Sequence, residues 1–172
     1  MARWRYLIAL GSNVRHPRHG PPRAVLEAAL AQLQQSGVAL VSSASTIETD
    51  PIGPSIRRYA NSAAVIETGL DPPDLLALLK QVEHAFGRRP GGQPWRARVL
   101  DLDIVLWSGG AFASDELTVP HPLFRKRAFV LLPAAEIAPG WRDPLTGLSV
   151  RQLRARLTRP RAGHRWAAWS GP

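Results

Sequence analysis

The chain has 172 residues, 45% hydrophobic and 20% charged, which suits one compact domain with a real core and excludes a disordered tail or a membrane-embedded protein. It has no cysteine, so disulfides, thiolate zinc sites and thiol nucleophiles are excluded together, and any metal must take oxygen or histidine ligands. The net charge is +9, from 22 basic residues (20 of them Arg) against 13 acidic ones, which makes nucleic acid the first partner to weigh.

In chain order, Trp4–Leu10 is short, apolar and strand-like, and it breaks at Gly11-Ser12-Asn13. Its apolar run is too short for a signal-peptide core, and the cytoplasm is the expected location. Leu26, Leu30 and Leu33 recur at helical spacing with Ala29 between them and Gly37 closing the element. Val38–Thr49 is rich in β-branched residues and predicts one strand, ending at Asp50-Pro51-Ile52-Gly53-Pro54. Tyr59–Thr68 predicts a second strand. Asp71-Pro72-Pro73-Asp74 starts a helix whose buried stripe is Leu75, Leu79, Val82 and Phe86, with Gly87 as terminator. Arg88–Arg98 is a basic loop broken by Gly and Pro, and Val99–Trp107 is the clearest strand. A polar turn, the Thr118–Pro122 stretch, an apolar segment Ala128–Ala138 and a last helix over Val150–Leu157 follow. The order β-α-β-β-α-β predicts an α+β sandwich of the ferredoxin-like type, with a mainly antiparallel sheet and helices packed against it. One domain over residues 1–160 and a loose basic tail over 161–172 are expected.

On the strand Leu100-Asp101-Leu102-Asp103-Ile104, alternation places Asp101 and Asp103 on one face with Val99 and Val105. Leu100, Leu102, Ile104 and Leu106 are expected on the other. Two carboxylates ~7 Å apart repel each other, and burial adds a desolvation cost. Either the face is exposed and the acids are solvated, or a cation sits between them. Magnesium suits the second case, being a hard ion usually held by one or two carboxylates plus substrate phosphates. Arg88, Arg89, Arg96 and Arg98 precede the pair on the adjoining loop. Acids facing arginines are what polyphosphate chemistry requires, and this combination outweighs a merely solvated loop.

Other residues stay open on their own. Glu83 borders a buried helical stripe, as a boundary residue or as an acceptor at a ligand site. His121 lies between two prolines, as a surface turn or as a phosphate contact near Arg125 and Arg127. Tyr59 and Asn61 share a strand face, where they can serve the core and a sheet edge or receive a flat heterocycle. There is neither a Gly-x-x-x-x-Gly-Lys-Ser/Thr loop nor a Gly-x-Gly-x-x-Gly motif, so side chains and metal would have to hold any nucleotide.

Several segments in order carry a resemblance: Ala9–Asn13, Glu48–Gly53, Tyr59-Ala60-Asn61, Glu83 with Gly87-Arg88-Arg89, Trp95–Ile104, and Val119–Pro122 with Arg127-Ala128-Phe129. Together they resemble the 6-hydroxymethyl-7,8-dihydropterin pyrophosphokinases of folate biosynthesis, over roughly residues 5–140. The resemblance implies an ATP-binding transferase that passes the βγ-diphosphate of ATP to the pterin alcohol and releases AMP, with no covalent enzyme intermediate. It implies that Asp101 and Asp103 hold two magnesium ions, with Arg88 and Arg98 as catalytic cations. Thr49, Asp50, Ile52 and Asn61 would bind the pterin, with Tyr59 and Phe129 stacking on its ring. Glu83, Arg89, Arg98, Ile104, His121 and Arg127 would serve the nucleotide, and Trp95 with its loop would close over the reactants.

This chain departs from the family pattern in the lid. Pro90 and Pro94 replace usual arginines, Trp95-Arg96-Ala97-Arg98 replaces Trp-Gly-Pro-Arg, and Asp50 stands where Pro is frequent. Arg89 is therefore expected to bind phosphate in place of the arginine that Pro90 replaces. The rival readings are a ferredoxin-like nucleic-acid-binding module and a pseudoenzyme with a weakened lid. The first would need exposed aromatics on central strands, whereas the clearest strand carries two acids. Six of the arginines fall after residue 150 with no acid among them, leaving +3 for the first 150 residues. Nucleic acid is thus disfavoured as a partner, no membrane is expected, and a monomer is anticipated.

Overall fold

The computed structural model describes residues 3–50, 58–87 and 98–159. Its elements are β1 (Trp4–Ser12), α1 (Pro22–Gln35), β2 (Ala39–Ser43), β3 (Ile47–Thr49), β4 (Tyr59–Thr68), α2 (Pro72–Ala85), β5 (Asp101–Trp107), β6 (Phe112–Ala113), β7 (Thr118–Val119), a 3-10 turn (Phe124–Lys126), α3 (Ala128–Ile137) and α4 (Val150–Thr158). The main sheet has the order β2-β4-β1-β5, with β3 also pairing with β4, and every pairing is antiparallel. This is the expected ferredoxin-like arrangement. Among the described residues no helix is long and apolar enough to cross a membrane.

β1 is central, so both of its faces are covered and its sequence is continuously apolar rather than alternating. Tyr6, Ile8 and Leu10 enter the core under α1 and α2. That layer is closed by Val25, Leu26, Ala29 and Leu33 from α1 and by Leu75, Leu79 and Val82 from α2. The start of α2 follows its sequence signals: Asp71 accepts the Asp74 N–H at 3.0 Å, and Pro72 occupies the first turn, where an N–H is not needed. Gly87 ends it at φ +93°, a conformation that a side chain would strain.

Leu7 and Ala9 enter a second core with Phe124, Val130, Leu131, Ala134, Val150 and Leu153. The apolar segment 128–138 is a helix despite Pro133 at its middle, because burial outweighs the one backbone hydrogen bond that proline removes. The expected last helix is α4, closed by a reciprocal box between Ser149 and Gln152.

Two expectations are corrected. The single strand over 38–49 is broken at 44–46, where Ser45 donates both its N–H and its hydroxyl to Glu136 of α3. Leu106 does not share a face with Ile104. A register shift between Leu7 and Ile8 leaves Val105 unpaired, and both Val105 and Leu106 enter the α3 side.

Candidate active site

The register of three strands builds the floor of a cavity. Asn61 of β4, Gly11 of β1 and Asp101 of β5 form one row, and Ala63, Ala9 and Asp103 form the next. In these two rows β1 contributes only Gly11 and Ala9, and this opens the space. A methyl group on Gly11 would stand 3.4 Å from Asn61 Oδ1. Lys126, Arg127 and the first turn of α3 form a wall, and the cavity holds about 570 Å³, the size of a small-molecule site.

The β3–β4 side is suited to a flat polar ring. Asn61 is buried, and its Nδ2 donates to Thr49 Oγ1 at 2.7 Å, which fixes the amide plane. Tyr59, Asp50 and Phe129 line the same cavity. Arg127 lies with its guanidinium 5.6 Å from the Phe129 ring centre.

The β5 side is charged. Arg98 donates from Nη1 to Asp101 Oδ2 at 2.7 Å. Asn13 anchors Arg98 from behind: its Oδ1 accepts the Arg98 N–H at 2.8 Å, and its own N–H donates to the Arg98 carbonyl at 3.1 Å. Burial, and then the charge of Asp101, push the Asp103 carboxyl above its ordinary value; His121, Arg127 and Arg98 pull the other way without prevailing. His121 sits in the same field. Burial and then Arg127 lower its pKa, against the pull of Asp103. Its Nδ1 accepts the Leu123 N–H at 3.1 Å, so the neutral ring carries its proton on Nε2.

A pair of carboxylates in which Asp101 still raises the Asp103 pKa, against the pull of the surrounding cations, fits a hard divalent cation. Among the described residues no group of three acidic or histidine side chains surrounds one. Asp101 and Asp103 are the side chains of this cavity that could hold such an ion.

The site residues expected from sequence divide into three sets. Thr49, Asp50, Tyr59, Asn61, Arg98, Asp101, Asp103, Arg127 and Phe129 line this cavity together. Glu83, Ile104 and His121 are not among its lining residues. Glu83 is buried and its Oε1 accepts the Leu102 N–H at 2.8 Å, capping the outer edge of β5. Ile104 belongs to the α1–α2 core. Ile52, Arg88, Arg89 and Trp95 lie outside the described residues, as does the 161–172 tail. The sequence reading missed Lys126, which lines the wall, and the role of Gly11 and Ala9 as floor. The small residues were legible only once the strand register was known.

A family model described as 7,8-dihydro-6-hydroxymethylpterin-pyrophosphokinase (HPPK) matches residues 7–139. The chain belongs to the HPPK family. The 2-amino-4-hydroxy-6-hydroxymethyldihydropteridine pyrophosphokinase of Bacillus subtilis is 36% identical over 158 residues, covering 91% of each chain. The enzyme of the same name from Synechocystis is 35% identical over 148 residues, 86% of this chain and 73% of that one. Among solved structures, Plasmodium falciparum HPPK-DHPS with pteroate superposes with a TM-score of 0.67 at 12% identity, over 90% of this chain. That likeness concerns the fold, and this chain spans 42% of that longer one. Membership of the HPPK family displaces the nucleic-acid-binding alternative.

Proposed function

We propose that this chain transfers the βγ-diphosphate of ATP to the hydroxymethyl group of 6-hydroxymethyl-7,8-dihydropterin, releasing AMP, as a step of folate biosynthesis. The observation that carries this reading is the row Asn61–Gly11–Asp101, which sets a fixed amide for a heterocycle beside an acidic pair ringed by arginines. The pterin would take the β3–β4 side, its amide edge on Asn61 and its ring against Tyr59 and Phe129. That places its hydroxymethyl group toward β5.

The polyphosphate would lie over Asp101 and Asp103, with Arg98, Lys126 and Arg127 taking the charge that the acids and their cations do not. The bond from the alcohol oxygen to the β-phosphorus forms as the bond to the α,β-bridging oxygen breaks. AMP leaves with that electron pair and the alcohol proton is released. Magnesium on Asp101 and Asp103 would supply charge neutralisation and alignment of the phosphate oxygens. The protein's own contribution is to hold two substrates in line in one cavity, which removes much of the entropic barrier. Arg98 is bound to Asp101 by one hydrogen bond and held at its backbone by Asn13, so its guanidinium can turn to phosphate without the chain moving.

The test is product analysis. With magnesium, ATP and 6-hydroxymethyl-7,8-dihydropterin, AMP should form in a one-to-one ratio with pterin diphosphate, and only when the pterin is present. Formation of ADP, or AMP formation indifferent to the pterin, overturns the reading.

A further inference from the structure

Asp143, in the turn between α3 and α4, is fully buried and lies outside the cavity. Its carboxylate is saturated. Arg125 donates to it with both prongs, Nε to Oδ2 at 2.7 Å and Nη2 to Oδ1 at 2.8 Å. Thr146 Oγ1 donates to Oδ2 at 2.6 Å, and the Leu145 N–H to Oδ1 at 3.1 Å. The backbone of the turn is tied as well, with the Asp143 N–H donating to the Leu148 carbonyl and the Gly147 N–H to the Asp143 carbonyl.

Arg125 is one of three consecutive cations, Arg125-Lys126-Arg127, in and just after the 3-10 turn. Lys126 and Arg127 line the cavity, whereas Arg125 packs over the buried Phe124 ring at 4.8 Å and turns to Asp143. A buried ion pair has no general advantage in stability over an apolar pair of the same volume, because desolvation offsets the attraction. What a two-pronged pair adds is direction: it holds a planar guanidinium, and the backbone carrying it, in one orientation. The Arg125 side chain is thereby kept out of the phosphate region while its two neighbours face it.

We propose that Asp143 is a positioning residue for the phosphate end of the cavity: through Arg125 it fixes the 124–127 turn so that Lys126 and Arg127, and not Arg125, meet the polyphosphate. The inference rests on the pyrophosphokinase reading for the identity of that ligand. Burial works against the Asp143 charge, but Arg125, Thr146 and Leu145 together keep its carboxyl below the ordinary range, so the pair stays ionised at neutral pH.

The experiment compares Asp143→Asn and Arg125→Lys with wild type in two settings, the native background and a Lys126→Ala/Arg127→Ala background. Binding of α,β-methylene-ATP with magnesium and binding of the pterin are each measured by calorimetry, alongside KM and kcat for AMP formation. Asp143→Asn removes the charge but keeps groups that Thr146 and Leu145 can bond. Arg125→Lys keeps the charge and removes the second prong. Each variant should weaken the ATP analogue about tenfold, as expected for small misplacements of charged contacts, and leave pterin affinity unchanged. In the Lys126→Ala/Arg127→Ala background the same substitutions should have no further effect on the analogue.

Unchanged analogue affinity in the folded variants overturns the proposal, as does a parallel loss of pterin affinity or a loss that persists in the double background. Should Asp143→Asn fail to fold, Arg125→Lys decides alone. Failure of the pyrophosphokinase reading shows separately, as wild-type protein that binds the analogue and the pterin yet forms no AMP.

Discussion

Asp143 and Asp103 both face the segment between His121 and Arg127, and the protein treats them in opposite ways. Asp143 receives four donors, two of them charged, and its pKa falls although burial raises it. Asp103 is half-buried on a strand beside a second acid, and its pKa rises because burial and Asp101 outweigh the surrounding cations. A carboxylate that serves the fold is closed by the protein's own donors. Asp103, which on the proposed reading serves a ligand, has a repulsive neighbour instead, a configuration that an incoming cation would relieve. Both acids meet cations and both are penalised by burial, so the set of donors is what separates structure from chemistry.

The sharpest way to break this contrast is to neutralise each acid and ask what fails. Asp101→Asn and Asp103→Asn should each lower kcat for AMP formation by roughly 10⁴-fold, about 5 kcal/mol of barrier. The metal-free melting temperature should rise slightly for Asp103→Asn, where a like-charge repulsion is removed, and hold level for Asp101→Asn, where the same relief is offset by loss of the Arg98 ion pair. A large drop in melting temperature for both variants would make the pair structural. Asp143→Ala should do the reverse. It leaves the half-buried Arg125 unpaired and takes the acceptor from Thr146 and the Leu145 N–H, which costs about 3 kcal/mol of stability in denaturant titrations.

The pH dependence separates the two with opposite signs. The native pKa of Asp143 lies below its unfolded value, so its contribution is present above about pH 4 and lost as pH falls through the native pKa. The native pKa of Asp103 is raised, so in metal-free protein it contributes stability at low pH that is lost as pH rises through the native value. Urea midpoints followed from neutral to acid pH should show a shallower acid decline in Asp143→Asn and a steeper one in Asp103→Asn. The same slope in both would remove the distinction.

A smaller effect tests the pterin side. Asn61→Ala removes the fixed amide and frees Thr49, and should raise KM for the pterin by about 30-fold, near 2 kcal/mol, with KM for ATP little changed. Equal changes in both would mean that Asn61 supports the sheet rather than the ring.

Much of this was legible in the sequence because the signals were local. Asp71-Pro72 starts α2, Gly87 ends it, and the alternation in Leu100–Ile104 puts both acids on one face. What was not legible depends on pairing between distant segments. The break at 44–46 needs Glu136, ninety-one residues from Ser45. The shift that turns Leu106 over needs β1 as partner. Glu83 was legible as a residue at the edge of a buried stripe, but which donor it meets depended on where β5 lay. Arg125 was seen as a cation near His121, whereas its withdrawal from the phosphate region depends on Asp143, eighteen residues on. Sequence patterns place a residue on a face; tertiary pairing decides which cations are left to act.

The smallest effect belongs to the floor. Gly11 sits within β1 without a positive φ, so alanine is free of backbone strain there, and its methyl would meet Asn61 Oδ1 at 3.4 Å, an ordinary contact distance. Replacing a strand glycine with alanine also reduces the entropy of the unfolded chain, worth about 0.5 to 1 kcal/mol. Fold stability should therefore stay level or rise slightly. The same methyl, however, stands between Asn61 and Asp101, where the pterin would cross from its amide toward the acids. Gly11→Ala should accordingly raise KM for the pterin by about fivefold, close to 1 kcal/mol, while the affinity for α,β-methylene-ATP is kept. A stability gain with unchanged KM would show that the floor has room to spare, and would move the pterin off the Asn61–Gly11–Asp101 row.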